Sequence, residues 1–395
     1  MKPRRLPLFL ALALVTALLG ACTSSPPDLS PTPTGTQATA PFDDALRSRV
    51  EATVAKVFED TKATSWMVLV SQPGRGEIYL QSGDTGRDRN WRIGSVTKTF
   101  TGITVLRLAQ RGELSLDDKL AKYITGIKYG KKITIRQLLA MQAGVYDYTS
   151  PSPANSAFDL DPAMPWTVAQ TIDLIRKGKP GHKPGAATVY DNSNFVLLGR
   201  IIEKVTGKPA AEVIAKEAIE PAGLKHTIIP RGYTVPQPAV AGNYYQEDGK
   251  LRRVPRQNPR IPSTAGNMIS TVDDLVAWSR ALATGSLLEP EYFEQQKHFI
   301  DVGTGGMKFR YGLALMDWQG WLGHGGEVWG YSNVTMTDTA TGATVVVMAT
   351  GSTGEENSIT APAFALAASE IWPGAYPAFD DLADQVTNQA SSSPS

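Results

Sequence analysis

Ser95 and Lys98 lie three positions apart in "WRIGSVTKTFTG", where a glycine gives way to an apolar run. On a helix those positions share one face, so both side chains can enter a single site. A serine there is a candidate nucleophile, and the amine beside it a candidate proton acceptor. A helix start also places the serine's own N–H at the positive end of the macrodipole, ready for an oxyanion. Ser-x-x-Lys alone is a weak signal, because every helix start carries polar capping residues. The run that follows strengthens it: between Lys98 and Arg107 there is no charge, and Phe100, Ile103, Val105, Leu106 and Leu108 cover nearly every face. Such a helix is buried. A lysine on it must find partners or lose its charge, and both outcomes belong to functional sites.

Two further groups carry complementary chemistry. "VYDNSNF" brings Tyr190 and Asn192 ahead of a predicted helix, and "GHGGEVWGY" brings His324 with Gly325 and Gly326 at a predicted strand start. Deprotonating a free lysine at pH 7 costs about 5 kcal/mol and a free tyrosine about 4. Burial depresses a lysine by a few units. A phenolate beside an ammonium instead gains about 4 kcal/mol at 4 Å and an effective dielectric of 20. The two magnitudes match, so neutral Lys98 and anionic Tyr190 both stay open, with Tyr190 coupled to Lys98 the expected base.

The elements that must position these groups follow from periodicity and punctuation. Residues 44–58 read as a helix; "SWMVLV", a "PGRG" turn and "EIYLQSG" read as an antiparallel hairpin. The helix after Ser95 stops at Gly112, and Thr134 can cap "IRQLLAMQ", which stops at Gly144. "FVLLGRIIEKVTG" ends at Gly207, and "VDDLVAWSRALATG" runs from near Thr271 to Gly285. "RYGLALMDW", "GYSNVTMTD" and "ATVVVMATG" return to strands, and a last helix lies near residues 360–372. Strands at both ends with helices between predict an α+β fold. An antiparallel sheet flanked by helices is built from both chain ends (about 43–115 and 265–375), with an all-helical lobe (about 116–264) inserted.

Taken in order, Ser-x-x-Lys, Tyr-x-Asn and His-x-Gly, in the phrases "IGSVTKTFTG", "YDNSNFVLLGRIIEKVTG" and "GHGGEVWGY", resemble the three motifs of the serine β-lactamase and penicillin-binding-protein superfamily. The nearest likeness is to class C β-lactamases, DD-carboxypeptidases and esterases of that fold, over roughly residues 43–375. The resemblance implies a serine hydrolase in which Ser95 is acylated, Lys98 and Tyr190 handle protons, and Asn192 donates to the substrate. His324 would assist from the facing strand. The N–H groups of Ser95 and Glu327 would form the oxyanion hole, and Gly326 would let the strand approach the substrate. A non-catalytic wall-binding lipoprotein is the other expectation, though a binding cleft needs no proton shuttle.

The chain departs from the pattern where relatives hold a substrate carboxylate. His324 replaces lysine, Gly325 a hydroxyl residue, and Met316 follows "YGLAL" where such relatives have arginine; Glu327 adds a negative charge. Weak recognition of a free C-terminal carboxylate is expected, leaving DD-carboxypeptidase-like, amidase or esterase action open. Trp318, Trp321 and Trp329 either line an apolar acyl pocket or sit in the core. Asp191 is expected to cap or to face solvent. "HGGE" also suits an α/β-hydrolase, but no G-x-S-x-G accompanies it.

The bulk numbers agree with a globular enzyme. The 395 residues are 42% hydrophobic and 19% charged, with net charge +1, too balanced for nucleic-acid binding. His182, His226 and His298 show no metal-ligand spacing, so no metal or cofactor is expected, and a monomer is. Lys2, Arg4 and Arg5 precede an apolar run from Leu6 to Leu19, too short for a span of about 20 residues, so 1–21 read as a signal peptide. Cys22, the only cysteine, follows "LGA" as in a bacterial lipobox, which implies an exported, lipid-anchored protein acting on peptidoglycan peptides or small esters and amides. Residues 22–42 are a Ser/Thr/Pro spacer, and 376–395 a featureless, disordered tail.

Overall fold

A computed structural model describes residues 40–150, 153–245, 249–302, 309–351, 360–377 and 379–380. The signal peptide, Cys22, most of the spacer and the end of the tail lie outside the described residues. The chain opens with α1 (Asp44–Asp60), capped by Asp43, whose carboxylate accepts the Leu46 N–H at 2.7 Å. The hairpin β1 (Ser65–Gln72) and β2 (Gly76–Ser82) follows, then β3 (Trp91–Arg92) and the buried α2 (Thr97–Gln110). Next come α3 (Ile135–Leu139), α4 (Pro153–Leu160), α5 (Val168–Lys177), α6 (Ser193–Thr206) and α7 (Ala210–Ile214). A hairpin of β4 (Asn243–Tyr245) and β5 (Leu251–Arg253) closes this region, so the inserted lobe is not all-helical. Then come β6 (Ile269–Ser270), α8 (Val272–Thr284) and α9 (Pro290–Gln296). The C-terminal strands are β7 (Ile300–Val302), β8 (Phe309–Tyr311), β9 (Met316–Trp318), β10 (Trp321–Val328), β11 (Tyr331–Asp338) and β12 (Thr344–Thr350), followed by α10 (Thr360–Ile371).

"SWMVLV" lacks polar alternation because both faces of its strand are covered. β1 is buried throughout and pairs with β2 on one side and β12 on the other. The full sheet has eight antiparallel strands in the order β2-β1-β12-β11-β10-β9-β8-β7, joining the two ends of the chain. Its period-2 faces are legible in the burial: Val68 and Val70 join α1 and α10 in one core, while Met67 and Leu69 join α2, α8 and the inserted helices in the other. In the second core Phe100 of α2 stacks on Trp278 of α8 at 3.7 Å, and the indole N–H donates to Thr99.

Three expected boundaries shift, each for a tertiary reason. α3 has its capping box of Thr134 and Gln137 but ends at Leu139 rather than running toward Gly144. Met141 then takes a positive φ of 59°, and its carbonyl accepts the Val189 N–H at 3.0 Å, drawing the "VYDN" segment alongside. "RYGLALMDW" is two short strands, because Ala314 turns out of the sheet at φ 59° and donates to the Leu139 carbonyl. There it rests on Gly102, where a Cβ would stand 2.2 Å from that of Ala314, so α2 and this turn meet only through glycine. Finally, the fold continues past residue 375: Tyr376 and Phe379 are buried against Trp321 and Trp318.

Phe379 fills the outer core completely and packs edge-on to Trp318 at 4.5 Å. Phe379→Ala should therefore lower unfolding free energy by about 3–5 kcal/mol, read from urea denaturation. A change within experimental scatter would show that the tail is dispensable after all.

Candidate active site

Ser95 does not cap its helix. It lies in a 3₁₀ turn (Gly94–Val96) that runs into α2, and no side-chain capping bond is made at either start. Its hydroxyl instead meets the Lys98 amine at 2.8 Å. Lys98 is fully buried, and Nζ has two more partners: Asn192 Oδ1 at 2.8 Å and the Ala265 carbonyl at 2.9 Å. Three segments distant in sequence thus close on one amine. Asn192 stands at the start of α6, and Ala265 on the 3₁₀ turn Ser263–Ala265. The Tyr190 ring lies 4.9 Å from Nζ, and its phenol is hydrogen-bonded to Ser95.

The electrostatics reverse the expected division of labour between Lys98 and Tyr190. Burial draws the amine down to about 7, against the opposing pull of Asp147 and Asp191. Burial also pushes the Tyr190 phenol above its ordinary value, only partly offset by the Ser95 hydroxyl. Lys98 therefore loses its proton far more easily than Tyr190, and the phenol stays protonated. A neutral amine has two N–H bonds and one lone pair. The Ala265 carbonyl and the Asn192 carbonyl oxygen can only accept, so they take both hydrogens. The lone pair is left pointing at Ser95.

His324 sits in the middle of β10 rather than at its start, and is buried. Its Nδ1 faces the Gly325 carbonyl, which fixes that nitrogen as the donor. Nε2 is then an acceptor and takes the Tyr311 hydroxyl at 3.1 Å. Burial, with the Lys98 charge nearby, lowers the imidazole to about 3, so it is neutral at physiological pH. The Tyr190 ring lies 6.1 Å from it across the site. Tyr311 was invisible as a site residue in the sequence, where it reads as one more strand aromatic.

Hairpin geometry sets the direction of the Glu327 N–H. Two-residue turns join β9 to β10 and β10 to β11, so the flanking pairs Trp318↔Trp321 and Val328↔Tyr331 are hydrogen-bonded. Counting along β10, the Glu327 N–H points to the edge facing β9, yet β9 pairs only as far as Gly323. Gly94 lies against that edge: a Cβ there would stand 2.6 Å from the Glu327 nitrogen. Gly326 is required for the same seam, since its Cβ would fall 2.1 Å from the Ile93 carbonyl. It admits Ile93 and Gly94 against the strand. The Glu327 N–H and the Ser95 turn are thus brought side by side.

Other expectations are corrected. Trp318 and Trp321 belong to the outer core with Phe364, on the sheet face away from this site. Trp329 is buried at the β10–β11 turn, its indole donating to Asp159 at 3.1 Å, so it offers almost no surface to an acyl group. Asp191 caps α6 by accepting the Ser193 N–H at 2.7 Å, but it is buried rather than solvent-facing. His182 and His226 are partly or fully exposed, and no group of ligands fit for a metal occurs among the described residues. No helix among them is long and apolar enough to cross a membrane.

Comparison with known proteins places this geometry. The family model described as Beta-lactamase matches residues 50–370. The chain is 26% identical over 289 residues to a putative penicillin-binding protein, PbpX, of Bacillus subtilis, covering 69% of this chain and 67% of that one. It is 30% identical over 221 residues to protein flp of Staphylococcus aureus, but this covers 51% of the chain and only 42% of that relative's length. Among solved structures, a D-stereospecific amidohydrolase from Streptomyces sp. superposes with a TM-score of 0.72 at 30% identity, over 81% of this chain and 97% of that one. With its fold, its motif order and its match to the family model in agreement, the chain belongs to the beta-lactamase family, within the serine hydrolase superfamily that includes the penicillin-binding proteins.

Proposed function

We propose that the protein is an amidase or esterase that forms an acyl-enzyme on Ser95, related in chemistry to D-alanyl-D-alanine carboxypeptidases but with little grip on a free carboxylate. The observation that carries this reading is the Lys98 amine, whose two acceptor-only partners turn its lone pair toward the Ser95 hydroxyl. Lys98 takes the serine proton as Oγ attacks the carbonyl carbon, and the N–H groups of Ser95 and Glu327 receive the oxyanion. Tyr190, protonated and bonded to Ser95, gives its proton to the leaving amine or alkoxide and is recharged by the Lys98 ammonium. Water then reverses the sequence to release the acid. Neutral His324, pinned by Tyr311, shapes the opposite wall.

Substrate preference follows from charge. Met316 stands where the family resemblance would have a carboxylate-binding arginine, and Arg310 on the neighbouring strand is held by Asp317 at 2.6 Å. Asp147 and Glu327 add negative potential around the catalytic groups. Neutral or amine-bearing amides and esters therefore suit the site better than acyl-D-Ala-D-Ala termini. The amidohydrolase that superposes on this chain supports amide cleavage. We further propose that Cys22 is lipidated and holds the domain at the outer membrane surface; Cys22→Ser should abolish incorporation of labelled fatty acid, and equal label in both proteins would dismiss the anchor.

Wild-type protein incubated with a nitrophenyl ester or a D-amino-acid amide should gain the acyl mass on Ser95. Ser95→Ala should lose at least about a thousandfold in turnover. Equal rates in the two proteins would remove Ser95 from the mechanism. Because Lys98 must be neutral to act, kcat/KM should fall as pH drops through about 7. Since His324 titrates only near 3, no separate limb should come from imidazole at intermediate pH. An acid limb near pH 10 in the free enzyme would contradict a neutral amine as the base.

A further inference from the structure

The mechanism leaves a partly buried carboxylate beside the site unused. Asp147 belongs to none of the three motifs, yet its Oδ1 accepts both the backbone N–H of Thr149 at 3.0 Å and the Thr149 hydroxyl at 2.9 Å. It also accepts the backbone N–H of Asn192. The Thr149 hydroxyl has a single hydrogen, and the carboxylate takes it. Its oxygen is then an acceptor for the Asn192 amide nitrogen, which stands 3.0 Å away. That fixes the Asn192 amide with Nδ2 toward Thr149 and Oδ1 toward Lys98, where the oxygen is 2.8 Å from Nζ. Each link allows only one direction. Reversing the amide would set two acceptors, Asn192 Oδ1 and the Thr149 oxygen, against each other.

We propose that Asp147 is a positioning residue which, through Thr149 and Asn192, orients the Lys98 lone pair toward Ser95 and sets the proton affinity of the amine. This rests on Lys98 being the base, as argued above. A relay of this kind orders the site at its far end from the substrate, so it acts on the chemical step rather than on binding. The titratable groups around it are Lys98 on α2, Asp191 and Tyr190 ahead of α6, Tyr148 beside it, and His324 and Glu327 on β10. Burial pushes both carboxyls up, but Asp191 further and with Asp147 adding to it, so Asp191 is the first to take a proton. Asp147, with three donors on it, remains the anion.

The test compares wild type with Asp147→Asn, Thr149→Val and Thr149→Ser. Lys98 titration is followed by NMR on protein labelled at lysine Cε, with Lys98→Met giving the assignment and circular dichroism checking the fold. Asp147→Asn and Thr149→Val should each lower the Lys98 midpoint, by about one pH unit for the loss of the Asp147 charge. Both should reduce kcat roughly tenfold or more with KM little changed, and Thr149→Ser should recover most of it. A Lys98 midpoint and kcat that do not move in folded Asp147→Asn and Thr149→Val would overturn the relay. If instead the wild type never acylates Ser95, the hydrolase reading fails, while the NMR titration still decides whether Asp147 governs Lys98.

Discussion

An ammonium group with no exposed surface is the constraint around which the molecule is organised. Lys98 sits on a helix whose other faces are covered by apolar side chains, so its charge cannot be shed to water. The fold answers in two ways. It surrounds Nζ with a hydroxyl, an amide oxygen and a backbone carbonyl from three separate segments, and it lets the amine give up its proton near neutrality. The first response builds the site, and the second makes it reactive. Desolvation that would be a plain cost elsewhere becomes, in the proposed mechanism, the means by which a base is made near pH 7.

Glycine contacts do for the Glu327 N–H what burial does for the Lys98 amine. Gly94 and Gly326 let the turn carrying Ser95 lie against β10 at backbone-to-backbone distance, and any Cβ would force the two apart. The sheet supplies the rest of the precision. Its register, fixed by two-residue turns on either side of β10, decides which N–H groups face the site. β9 stops short, so the edge of β10 beside Gly94 is given to the site rather than to another strand.

Much of this could be read from residue order, and the failures have physical causes. Capping residues and glycine stops placed α6 and α8 closely, because those signals act within one turn of the helix. The strands of the sheet were legible wherever a run of β-branched residues is covered on both faces. The break at Ala314 was not, since it answers to Gly102, which is remote in sequence. The tryptophans near the third motif stayed open between pocket and core for a similar reason: a one-residue change of face decides between the site and the outer core, and only pairing fixes the face. Tyr376 and Phe379 looked like tail because burial against Trp321 leaves no periodic trace in so short a segment.

By itself the sequence determined the fold class and the motif order, since local signals suffice for these, while its resemblance to a known family singled out Ser95, Lys98, Tyr190, Asn192 and His324. Which of Lys98 and Tyr190 surrenders its proton, which tautomer His324 adopts, and how Asp147 and Tyr311 bear on them were decided only in three dimensions. Proton affinity depends on what surrounds a group and on which way each neighbouring donor points. Those neighbours come from segments far apart in the chain, so their directions exist only once the chain has folded.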